Sequence, residues 1–144
     1  MKITDIEIIP LPGYLPLIND PGLGEYFLDN QRTVHGDARV VRQGHRTGST
    51  DMGDVSHIMP ALHPSMAGAT GNNHAVDWAI ADPQMAYIEP AKALAWMAAD
   101  LLSGDASKGR RLVEEFEPLM TKDEYLRYQR GIGKTDHWSG AAPS

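Results

Sequence analysis

Apolar and polar positions alternate over residues 2–9, with Ile6 and Ile8 on one side and Asp5 and Glu7 on the other. A period of two rich in isoleucine predicts a half-buried β-strand. No hairpin partner follows. Pro10, Pro12 and Pro16 come next, and each fixes φ and removes a backbone donor, so residues 10–17 read as an extended connector. The first strand is thus expected to lack its sheet, a first sign that the chain is part of something larger.

The pattern then turns helical. Asp20 followed by Pro21 is a helix start, with Leu23, Phe27 and Val34 as its apolar stripe and Gly36 as its stop. A short strand is expected over residues 38–42, then a polar loop over 43–53 and a helical turn over 54–57. A buried strand is expected over 58–66, although Pro60 and Pro64 restrict its pairing. Asp82-Pro83 repeats the helix-start pattern, and Pro90 places the main helix at about 90–102. Its stripe of Ala91, Leu94, Ala95, Ala98, Leu101 and Leu102 is expected to pack closely on a sheet, with Gly104 as terminator. Asp105 should cap a helix whose buried stripe is Leu112, Val113 and Phe116. Thr121 and Glu124 form a capping box for a last helix to about Arg130. Residues 131–144, with His137 and Trp138, are expected to form a disordered tail.

Composition narrows the class. A chain of 144 residues with 42% hydrophobic content and 22% charge is globular, one domain in size, and able to bury a core. Its net charge of −6 argues against nucleic acid or an anionic membrane as partner. There is no cysteine, so no disulfide framework and no thiolate site; a metal must use His, Asp or Glu. Asp5 and Glu7 inside the first apolar stretch argue against a signal peptide, and the apolar run over 93–99 is too short to cross a bilayer. A cytoplasmic protein is the expectation.

Chemistry concentrates between His45 and His74. This stretch holds four of the six histidines, His45, His57, His63 and His74, with Asp51 and Asp54 among them. Imidazoles and carboxylates bind divalent metals or move protons near neutral pH. Asp51, Asp54 and His57 would share one face of a helix, although Asp54 could equally cap a short helix and leave His57 a structural role. Gly48, Ser49, Thr50 and Asp51 offer hydroxyls and backbone N–H groups suited to a carboxylate or an oxyanion, or a plain turn. No nucleophile elbow surrounds Ser49. His74, after Gly71-Asn72-Asn73, is the best single metal candidate, because it projects from a loop. No His-Glu-x-x-His pattern accompanies it.

The segments P-G-Y-L-P-L-I-N-D-P, H-R-T-G-S-T-D-M-G-D-V-S-H-I-M-P, G-A-T-G-N-N-H-A-V-D-W and D-P-Q-M-A-Y-I-E-P-A-K-A-L-A run in order over about Pro12 to Arg130. Together they resemble the C-terminal part of zinc-dependent amidohydrolases of peptidase family M twenty, closest to the aminobenzoyl-glutamate hydrolase branch. The resemblance implies an α/β fold: part of a three-layer α/β/α zinc-peptidase-like catalytic domain, preceded by one strand of a lid or dimerisation domain. Residues 1–17 would be that last lid strand and the return crossing, 18–130 the C-terminal portion of the catalytic domain, and 131–144 the tail.

Such metallopeptidases hold two zinc ions and hydrolyse the amide bond of N-acyl amino acids or small peptide-like amides. By resemblance His74 is the late histidine ligand, and Gly48, Ser49, Thr50, Asp51 and Asp54 line the active site. The His-x-Asp pair, the bridging aspartate and the Glu-Glu pair of the family belong to an N-terminal portion that this sequence does not contain. No complete catalytic set is expected in this chain, so activity would need a complementing N-terminal portion. Two other readings stand beside this one: a standalone metal-binding protein with a site rebuilt from Asp51, Asp54, His57 and His74, and a non-catalytic interaction module that forms a homodimer through the isoleucine-rich edge strand.

Overall fold

The computed structural model describes Ile3, residues 5–35 and residues 48–140. Helices and strands coexist, as an α/β chain requires, and the strands form two small antiparallel ribbons. The order is β1 (Asp5–Ile8), α1 (Pro21–His35), α2 (Met52–Ser56), β2 (Ala69–Thr70), β3 (Ala79–Ile80), a π-helical turn (Gln84–Ile88), α3 (Glu89–Leu102), α4 (Ser107–Glu115), α5 (Lys122–Ile132) and β4 (Asp136–Ser139). The strand expected over 38–42, the Gly36 stop and His45 lie outside the described residues.

Side-chain bonds to backbone N–H groups lie at or beside several helix starts. Asp20 Oδ1 accepts the Leu23 N–H at 2.8 Å and opens α1, with Pro21 at a position that needs no donor. Asp82 Oδ1 accepts the Met85 N–H at 3.0 Å at the head of the π-helical turn that runs into α3. Asp105, expected to cap α4, lies one residue before the capping position, which is Ala106 and has no side-chain cap; Asp105 Oδ1 takes the Ser107 N–H at 3.1 Å. At α5 both halves of the capping box are made: Glu124 N–H donates to the Thr121 hydroxyl at 3.2 Å, and the Thr121 N–H donates to Glu124 Oε2 at 2.7 Å.

Packing departs from the apolar pattern. α3 lies against α1 and α4, and the residues it buries are Glu89, Ala93 and Met97. The expected stripe is instead open: Ala91, Leu94, Ala95, Ala98 and Leu102 are all exposed. α3 carries apolar residues around most of its circumference, and its helical neighbours cover the Ala93–Met97 side. On α4, Leu112 and Phe116 are half-buried, but Val113 is exposed. On α1, Leu28 and Gln31 are buried, Leu23 and Phe27 are half-buried, and Val34 is exposed. The apolar core among the described residues is Leu28, Ala61, Ala93 and Met97. That is little for a chain of this length.

Two further expectations are corrected. Residues 58–66 form no strand. Pro60 and Pro64 withhold donors a ladder would need, and the segment is tied by single bonds instead, from Asp20 N–H to Ala61 O at 2.7 Å and from His63 N–H to Asn19 Oδ1 at 2.8 Å. Nor is 131–140 a disordered tail. α5 runs on to Ile132, and β4 pairs antiparallel with β1, Ile6 opposite Trp138 and Glu7 opposite His137. β1 therefore has a partner, from the other end of the chain, in a ribbon whose strands are exposed along their length.

Candidate functional site

The loop and short helix at 48–57 are bonded to the connector. Asp51 is the first residue before α2, but its side chain makes no capping bond; its Oδ1 accepts the Thr50 hydroxyl at 3.1 Å. Asp54 Oδ1 accepts the Leu15 N–H at 2.9 Å. Ser56 Oγ accepts the Ile18 N–H at 3.1 Å and donates to Gly53 O at 2.6 Å. Residues 15–18 thus lie across α2 as a strap, held by side chains nearly forty residues away in sequence. Gly53 makes the approach possible. A Cβ there would collide with the Leu15 carbonyl, so only glycine allows the two backbones to meet.

α5 closes the same corner. Gln129 Nε2 donates to the Tyr125 hydroxyl at 3.3 Å and to Gly13 O at 3.4 Å. The Tyr125 hydroxyl is held above its ordinary pKa by loss of solvent; the Gln129 bond opposes this, and the hydrogen bond and negative charge of Asp54 reinforce it. Asp54 is therefore a structural acceptor, shared between the strap and α5. Sequence reading missed Ser56, Tyr125 and Gln129, because the spacing of those residues carries no sign of bonds to so distant a backbone.

His57 is buried, and its Nδ1 donates to Gly53 O at 2.8 Å. A carbonyl oxygen only accepts, so Nδ1 carries a proton in this bond. Asp51, Asp54 and His57 have separate surroundings: Asp51 is exposed, Asp54 accepts from the strap and His57 is tied to its own helix. Gly48 and Ser49 are exposed.

His74 has the opposite surroundings. It lies in the loop between β2 and β3, where every residue from 71 to 78 is exposed. The loop is shaped by its own bonds, Ala75 N–H to Asn72 O at 3.1 Å and Trp78 N–H to Ala75 O at 3.2 Å. Gly71, at φ +82°, starts the turn, and a Cβ there would strike the Asp77 carbonyl. His74 itself has φ +63°. A non-glycine residue in the left-handed region carries a strain of about 1–2 kcal/mol.

Among the described residues no three His, Asp or Glu side chains converge to hold a metal ion. No hydrogen bond or ion pair among them joins His74 to residues 48–57. An open groove of about 300 Å³ is bounded by Val34, Lys92, Ala95 and Trp96, and none of the candidate site residues named from sequence lines it. Among the described residues no helix is long and apolar enough to cross a membrane. No family model, curated protein or solved structure matches the chain.

Proposed function

We propose that this chain is the C-terminal portion of a zinc-dependent amidohydrolase of the peptidase family it resembles, acting on N-acyl amino acids or small peptide-like amides. In this reading α1, α3 and α4 belong to one helical layer of a three-layer α/β/α catalytic domain, and β1 with residues 10–17 comes from the lid. His74 is the one zinc ligand the chain contributes, and residues 48–54 line the active site.

The observation that carries the reading is the state of His74. It is exposed, held in a strained left-handed conformation, and without a partner among the described residues. Strain of that kind persists where the surrounding structure imposes it, and it clusters at functional sites. The thin apolar core supports the same reading, since a piece of a larger domain leaves open the faces its other half would cover.

Two zinc ions do not fit this chain alone. A catalytic zinc site needs three protein ligands, and among the described residues no such group forms around His74. A site rebuilt from Asp51, Asp54, His57 and His74 gains no support, because Asp54 and His57 already hold Leu15 and Gly53. The remaining ligands must come from a complementing polypeptide that carries the His-x-Asp, bridging Asp and Glu-Glu groups.

The test is calorimetric and catalytic. The purified chain should show no tight stoichiometric uptake of zinc and no hydrolysis of an N-acyl amino acid in its presence. Co-expression with a polypeptide that bears the missing ligands should restore hydrolysis, and His74→Ala should abolish it. Turnover by the lone chain with zinc would overturn the proposal.

A further inference from the structure

We propose that Tyr125 is a positioning residue: from α5 its hydroxyl holds Asp54, and with it residues 50–54, in one place without touching a substrate. The role rests on the reading of residues 48–54 as the lining of an active site.

Local sequence fixes the tyrosine first. The Thr121–Glu124 capping box sets the first turn of α5, and the Tyr125 N–H closes that turn on Thr121 O at 3.0 Å. The Met120 N–H meets His57 O at 3.4 Å, so the chain enters α5 beside the end of α2. Tyr125 and Gln129, one helical turn apart, share a face of α5. Both are half-buried, whereas Tyr128 is 48% exposed.

These side chains close a circuit with the connector. The Tyr125 hydroxyl accepts from Gln129 Nε2 at 3.3 Å and donates to the Asp54 carboxylate. Asp54 Oδ1 accepts the Leu15 N–H at 2.9 Å, and Gln129 Nε2 reaches Gly13 O at 3.4 Å. α5 therefore holds the connector at two points, Gly13 directly and Leu15 through Asp54. A charged acceptor makes the stronger kind of hydrogen bond, so Asp54 is the node whose place matters most.

Residues 50–54 move with that node as a unit. The Gly53 N–H donates to Thr50 O at 2.9 Å and the Asp54 N–H to Asp51 O at 3.1 Å, and the Thr50 hydroxyl donates to Asp51 Oδ1 at 3.1 Å. Gly53 lies against the Leu15 carbonyl, where no Cβ fits, whereas a Cβ at Gly48 would meet nothing. The turn is thus stiff within itself and takes its orientation from what grips it, and the grip that α5 supplies is the Tyr125 hydroxyl. A shift of about 1 Å in a lining group can cost about a hundredfold in rate, so a phenol outside the site can govern the chemistry inside it.

Tyr125→Phe removes the hydroxyl and keeps the ring. In the purified chain, hydrogen exchange should quicken about tenfold at the amides of Leu15, Gly53 and Asp54 and stay unchanged across α3. Tyr128→Phe should alter neither. An absorbance titration gives a second reading: burial raises the Tyr125 pKa most, the Gln129 bond opposes it, and Asp54 raises it further. Asp54→Asn should therefore lower the ionisation pH of one of the five tyrosines. In the complemented enzyme, Tyr125→Phe should lower kcat about tenfold and leave KM within about twofold.

Exchange that does not quicken in Tyr125→Phe, or quickens equally in α3, would overturn the positioning role whatever the catalysis shows. Undiminished kcat in the complemented Tyr125→Phe enzyme would overturn it too, even beside quickened exchange. Absence of hydrolysis from the unaltered complemented pair would overturn the amidohydrolase reading and the role with it, a failure set apart by exchange that still shows Tyr125 holding the turn.

Discussion

Two parts of the segment that sequence reading singled out have opposite characters. At 53–57 every polar group of interest is engaged: Asp54 with Leu15, Ser56 with Ile18 and Gly53, His57 with Gly53. At 71–78 the bonds are local and the imidazole of His74 is exposed. The same residue types, histidine and aspartate among glycines, thus serve packing in one place and stand free in the other. A polar residue is available for chemistry only if the backbone around it has been satisfied by something else. At the strap the side chains supply that satisfaction. In the β2–β3 loop the turn does.

The contrast can be broken first at Gly53. Gly53→Ala places a Cβ in the Leu15 carbonyl, and thermal unfolding should show a loss of about 3 kcal/mol or more, because backbone has little room to give. Asp54→Ala leaves the Leu15 N–H without its acceptor and should cost about 1–3 kcal/mol by denaturant titration. If Asp54 were instead poised for catalysis, the change would leave stability nearly untouched.

A smaller effect is expected at α5. Thr121→Ala removes the cap and should cost about 1 kcal/mol. Glu124, its partner in the box, is held below the ordinary carboxylate value of 4.5 first by the Thr121 N–H, then by the Thr121 hydroxyl and the charge of Arg127, against a small opposing effect of desolvation. A depressed folded-state pKa means that its contribution is complete above about pH 4.5 and is lost as pH falls through the folded value. The difference in melting temperature between the native chain and Glu124→Gln should therefore shrink on acidification.

The smallest effect on stability is expected at His74. His74→Gly should be neutral or slightly stabilising, by no more than about 1 kcal/mol, since glycine accepts φ +63° without strain. The same substitution should remove all hydrolysis from a complemented enzyme. A large destabilisation by His74→Gly would erase the distinction between the two regions.

Helix starts were legible from sequence because a cap acts within one turn. Asp20, Asp82, Asp105 and Thr121 each bond to a backbone N–H two or three residues on, and Pro21 fixes its own φ. The open face of α3 was misread for a physical reason. Periodicity shows that a helix has an apolar side, but α3 has two, and the choice between Ala93–Met97 and Ala91–Ala98 depends on where α1 and α4 lie. The strap was not legible either, because a glycine at 53 and an aspartate at 54 carry no mark of the residues at 15 and 18. Exposure of the His74 loop followed from its glycine-asparagine turn. Its zinc role rests on resemblance.

The β1–β4 ribbon has a kinetic consequence. It joins Asp5 to Ser139, stretches roughly 130 residues apart, whose closure costs about 4 kcal/mol of chain entropy. Four residue pairs between the two strands return only a modest gain, so the ribbon should zip shut last during refolding and be the first element to open. In hydrogen exchange, amides of residues 5–8 should trade with solvent well before those of α3.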